Sequence, residues 1–80
     1  KMTLYVLFKL KNKDRDLENR YNVGYIDDKE RKYVKVGHKI KIPLKNVRIL
    51  KKTKIFMDAG KFMSEAIDLN MKMVSKYARS

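Results

Sequence analysis

The spacing of apolar residues changes once along this 80-residue chain, near residue 55. Before that point apolar side chains return at every second position. After it they return at every third or fourth. A period of two belongs to a strand with one covered face, and a period between three and four to a helix. The chain therefore reads as a β region followed by one helix, and its length allows a single domain over 1–80.

The β region resolves into five segments. Leu4, Val6, Phe8 and Leu10 share one face of the first, opposite Thr3, Tyr5, Leu7, Lys9 and Lys11. Residues 12–19 are polar and charged and read as a loop or a single helical turn. Tyr21, Val23 and Tyr25 mark a second strand, in which Gly24 signals a bulge or a close backbone approach. Asp27-Asp28-Lys29-Glu30 is a turn by composition, because Asp side chains bond locally to turn backbone. The chain returns over 31–36, with Val34 and Val36 on one face and Tyr33 and Lys35 on the other. Gly37-His38 breaks the pattern. Ile40, Ile42 and Leu44 then alternate with Lys39, Lys41, Pro43 and Lys45. Pro43 cannot donate to a ladder, so this strand is an edge or ends there. Lys45-Asn46 can turn, and a fifth strand runs over 47–53 with Val47 and Ile49 opposite Arg48 and Leu50. The predicted β region spans 3–53.

A helix is predicted over 56–78. Ala59, Phe62, Met63, Ala66, Asn70, Met73 and Tyr77 form the stripe expected to face the sheet. Thr53 or Asp58 is suited to its start and Lys72, Lys76 and Arg79 to its end. A second apolar line, Ile67, Met71, Val74 and Ala78 with Leu69 beside it, makes the apolar arc wider than one small sheet needs. That excess predicts a homodimer or a protein partner on the helix, and makes a protein-interaction module or inhibitor that binds its partner through the helix the second reading of function, after the nucleic-acid binding argued below.

The segment from Val23 to Val36 and the run Lys39-Ile-Lys-Ile-Pro-Leu-Lys-Asn-Val-Arg-Ile are similar to SH3-like barrels of the Tudor, KOW and PUA-related kind. A bent hairpin followed by an Ile-Pro-Leu-x-x-Val return carries the likeness, over about residues 20–53. It implies an α+β, mainly β fold: a small antiparallel five-stranded open barrel with a C-terminal helix. It also implies nucleic acids or peptides as partners.

Charge favours the first of these. The chain carries 21 basic and 9 acidic residues, a net charge of +12. Residues 1–55 hold 17 basic and 6 acidic side chains, net +11; residues 56–80 hold 4 and 3, net +1. From Tyr33 to Lys54 there are eight basic residues and no acid: Lys35, Lys39, Lys41, Lys45, Arg48, Lys51, Lys52 and Lys54. Such a run attracts polyanions. Tyr25 and Tyr33 lie beside it, where rings can stack on bases while amines hold phosphates. Six to eight phosphate contacts would give a steep salt dependence. Lysines on an edge strand also guard against aggregation. That role covers Lys39, Lys41 and Lys45 but leaves Arg48, Lys51, Lys52 and Lys54 unexplained. No helix with basic and polar readout residues is apparent, so RNA or single strands are expected over duplex DNA.

The residues argue against other classes. No cysteine means no disulfide framework and no thiolate metal site, and a reducing cytoplasmic setting fits. His38, the one histidine, cannot build a metal site and lacks an evident catalytic partner, which leaves a small metal-independent ribonuclease toxin as the third reading. Glu30-Arg31-Lys32 behind Asp27 and Asp28 resembles the carboxylate–lysine element of metal-dependent nucleases only superficially, since all lie in one turn. No cofactor is expected, no stretch reaches the ~18 apolar residues of a membrane span, and the near-neutral helix does not favour a membrane surface. Abundant Lys, Asn and Ile fit a genome rich in A and T, and small size fits a phage or plasmid regulator.

Overall fold

The computed structural model describes residues 3–11 and 20–78; the side chains of Val74 and of residues 76–78 lie outside that description. Five strands form one antiparallel sheet: β1 (Leu4–Leu10), β2 (Tyr21–Ile26), β3 (Tyr33–Val36), β4 (Ile40–Pro43) and β5 (Val47–Thr53). Their order across the sheet is β4-β3-β2-β1-β5, and the sheet is open and barrel-like rather than closed. A single helix, α1 (Phe56–Ala78), follows. The predicted polar loop at 12–19 falls outside the described residues.

Alternation gives the sheet two apolar faces, each with its own core. On one, Val6, Phe8, Val34 and Val47 are buried, and Leu4, Leu10, Ile26, Val36, Ile42 and Leu44 pack around them. These residues come from all five strands and from the short 3-10 turn Leu44–Asn46, so this face curls around its own contents. On the other face Leu7 packs with Phe62 and Ala66 of the helix, flanked by Tyr21 and Val23. The helix thus lies on the outside of β1 and β2.

Gly24 permits the curl. It sits opposite Val6, and a Cβ there would lie 2.6 Å from the Lys35 carbonyl oxygen and 2.8 Å from a Val34 methyl. The close approach expected from the sequence is present. Gly37 turns the β3–β4 hairpin with φ +67°, a conformation that disfavours a side chain.

Three expectations need correction. Ile40 is on the predicted face, paired with Val36, but it is exposed. It stands at the turn end of an edge strand, beyond the reach of the core. A register shift opposite Leu7 and Phe8 sets Leu50 out of step in β5. It moves Lys51 to the helix side, opposite Leu7, and Lys52 to the other face, opposite Val6. Within the helix, Met63 is exposed and Leu69 is half-buried, the reverse of their expected roles. The stripe of Ala59, Phe62, Ala66, Asn70 and Met73 is on the covered side as expected, and the exchange falls at its two borders.

Asn70 anchors the expected face. β2 is registered with β3 only at Tyr25 and Lys35, which leaves the start of β2 without a strand neighbour on that side. The Tyr21 N–H donates to Asn70 Oδ1 at 2.7 Å, and Asn70 Nδ2 donates to the Tyr21 carbonyl at 3.0 Å. At the other end of the helix, Thr53 Oγ1 accepts from the Ile55 N–H at 3.1 Å and donates to Asp58 Oδ2 at 3.2 Å. Both residues expected at the helix start therefore take part in it. No helix among the described residues is long and apolar enough to cross a membrane.

Candidate nucleic-acid interface

Strand order divides the basic segment. Tyr33, Lys35, Lys39, Lys41 and Lys45 belong to or flank β3 and β4, at one edge of the sheet. Arg48, Lys51, Lys52 and Lys54 belong to or flank β5, at the other. The helix lies over β1 and β2 between them. One run in sequence is thus divided between the two edge strands, and the two groups still meet at one end, where Lys54 lines a cleft with Arg31, Asp27 and Asp28. Since β5 is an edge as well, guarding against edge-to-edge aggregation accounts for its cations too. That revises the expectation that edge protection could not explain them.

Folding also supplies the acids that the run lacks. The turn after β2 brings Glu30 to 2.8 Å from Lys41 and 3.4 Å from Lys35, with Asp27 at 3.5 Å from Lys35. The Lys35 side chain is only 18% exposed. The Lys29 backbone N–H holds the Asp27 carboxyl below its ordinary value, and Lys35 adds to this. Lys41, and then Lys35, do the same for Glu30. Burial alone would lower Lys35, but Glu30 and Asp27 outweigh it and the net direction is upward. On the far side Lys51 meets Glu65 of the helix at 2.8 Å. Lys35, Lys41 and Lys51 are therefore ion-paired within the chain, Lys35 largely covered and Lys41 and Lys51 about half exposed. Tyr25 is half-buried, and its hydroxyl donates to the Gly37 carbonyl at 3.4 Å.

Lys39 is exposed at the β3–β4 turn, at the far end of the ladder, while Lys32 and Lys45 lie beside Tyr33. This ring is 39% exposed and stands opposite Pro43 in the ladder. The Leu44 N–H donates to the Lys32 carbonyl at 2.9 Å, which closes the chain around it. The result is a cleft of about 430 Å³ lined by Arg31, Lys32, Tyr33, Pro43, Leu44 and Lys45. Lys32 and Lys45 form no ion pair with a carboxylate of the described residues. Arg31 is held by Asp28 at 2.6 Å, its Nε also donating to the Asp28 carbonyl at 3.3 Å. A second cleft of about 420 Å³ shares Arg31, Lys32 and Tyr33 but adds Asp28, Lys29 and Glu30, so the side with two carboxylates is the less positive of the two. An anion is favoured on the Pro43–Lys45 side.

Arg31 and Lys32 were missed because the acid-free run was counted from Tyr33. Their direct attachment to that tyrosine was the available signal. On the opposite edge, Arg48 stands across from Lys9, which sits 5.7 Å from the Tyr21 ring centre. His38 is exposed in the β3–β4 turn. Among the described residues no group of three or more His, Asp or Glu could hold a metal ion.

Comparisons of the chain with protein families, with characterised proteins and with solved structures found no match.

Proposed function

We propose that this chain is a nucleic-acid-binding regulatory factor that takes single strands or RNA across the Tyr33 cleft. It acts by binding, in the cytoplasm. The reading rests on one observation: an accessible aromatic ring and a proline form an apolar floor, with Lys32 and Lys45 at its rim. A base stacks on such a floor in any sequence context, and the amines neutralise the flanking phosphates. A duplex keeps its bases stacked inward and offers the ring nothing, which favours unpaired strands.

The test is a binding titration with a labelled single strand at about 50 and about 200 mM salt. With two or three phosphate contacts the slope of log K against log salt lies between about −1.4 and about −2.1, given ~0.7 per contact on single strands. Binding that ignores salt, or equal affinity for a duplex of the same length, refutes the proposal.

A further inference from the structure

The helix leaves an apolar line uncovered. Phe56, Met63, Ile67 and Met71 are each 58–72% exposed, and Gly60 falls on the same line with open space where a Cβ would be. The spacing 56, 60, 63, 67 is four, three, four. The sequence repeats it at 67, 71, 74 and 78. Eleven residues for three turns is close to the natural helical period, so the line runs almost parallel to the helix axis. A straight apolar line of this length matches a second straight helix.

We propose that a second copy of this chain covers it, with the two helices antiparallel and the two-fold axis at Ile67. Three observations select this occupant. First, position 67 is the midpoint of the line, so a two-fold axis there sets Ile67 against itself and Met63 against Met71. By sequence position it also sets Phe56 against Ala78 and Gly60 against Val74, larger against smaller in both cases. A symmetric interface must be self-complementary in this way.

Second, like charges forbid most other surfaces of a +12 chain from meeting their own copies. Residues 56–80 carry four basic and three acidic side chains, so copies can meet there at little electrostatic cost. Third, the four exposed side chains offer on the order of 500 Å² per chain, or about 1,000 Å² for the pair, the size at which specific interfaces begin. The edge contact of Phe56 with Tyr5, at 5.6 Å between ring centres, holds the first residue of the line in place.

Light scattering on the full chain at micromolar concentration should give twice the 9.6 kDa chain mass. Ile67→Lys should halve that mass with an unchanged circular dichroism spectrum, since the side chain it replaces is exposed. The native chain has no cysteine, so single substitutions report the orientation. With a short bis-maleimide, Ile67→Cys should cross-link to itself. Phe56→Cys should not, because antiparallel pairing puts its two copies about 33 Å apart. A monomeric native chain overturns the proposal, including the case in which a different protein covers the line. A dimer that survives Ile67→Lys, or self-cross-linking of Phe56→Cys, overturns it equally.

Discussion

The β3–β4 hairpin and strand β5 are the two edges of one sheet, and their sequences look alike: short, alternating and rich in lysine. Folding makes them different. The hairpin receives two carboxylates from the preceding turn, which occupy Lys35 and Lys41, and it keeps a tyrosine and a proline at the surface. On the β5 side one lysine, Lys51, meets a carboxylate, Glu65 of the helix, and the cleft that Lys54 lines is flanked by Asp27 and Asp28 and holds no tyrosine or proline. The lesson is that basic residues in a sequence are not basic residues available to a ligand. At the hairpin the acids pair with Lys35 and Lys41, while Lys32 and Lys45 beside the ring and Lys39 at the turn form no ion pair with a carboxylate of the described residues.

Substitutions can break this contrast at several levels. The largest effect is expected at Gly24. Gly24→Val places atoms against the Lys35 carbonyl and Val34, and should lower unfolding free energy by about 3 kcal/mol through overpacking, measured by denaturant titration. It acts on the hairpin side, so a negligible change would show that β3 is not held where described. Asn70→Ala removes the partners of two part-buried backbone groups and should cost about 1–3 kcal/mol in the same assay.

Binding comes next. Tyr33→Ala should weaken single-strand binding by about 1–3 kcal/mol, whereas Arg48→Ala, lacking a stacked base, should change it by well under 1 kcal/mol. The reverse order in a paired titration would move the interface to β5. Lys32→Gln with Lys45→Gln should flatten the salt slope by about 0.7 per lysine, with little change from Lys51→Gln.

The smallest effect concerns pH. Asp27 and Glu30 have carboxyls held below their ordinary values of 3.8 and 4.5, so their contribution is present above those values and is lost as pH falls through the lower folded-state values. Lys35 is raised above 10.5, so its contribution is complete below that pH and is lost above it. These groups are near the surface, and Glu30→Gln should reduce the acid-side dependence only slightly.

Much of this was legible in advance. Strict alternation places β1, and the change of period places the helix start, because each reflects which faces water must leave. Gly24 and Pro43 carried their own meaning, as a close approach and as the end of an edge strand. The bulge at Leu50 was not readable, since Leu-Lys-Lys fits either phase of a strand and the partner strand decides. Nor was the division of the charge between two edge strands, since strand order decides it: β4 and β5 are consecutive in the chain but at opposite ends of the ladder order. Met63 and Leu69 stand at the two borders of the sheet-facing stripe, and packing, not period, decides which border is covered; the docking of Asn70 on β2 is likewise a contact across 49 positions that no local pattern encodes.

The carboxamide of Asn70 serves the start of β2 as a missing strand would. The amide proton of Tyr21 is therefore shielded by a helix side chain and not by a ladder. Its exchange with solvent deuterium should follow the lifting of the helix, while the amides shared by β1 and β2 follow the opening of the sheet. One proton thus reports, residue by residue, when the helix leaves the surface on which it rests.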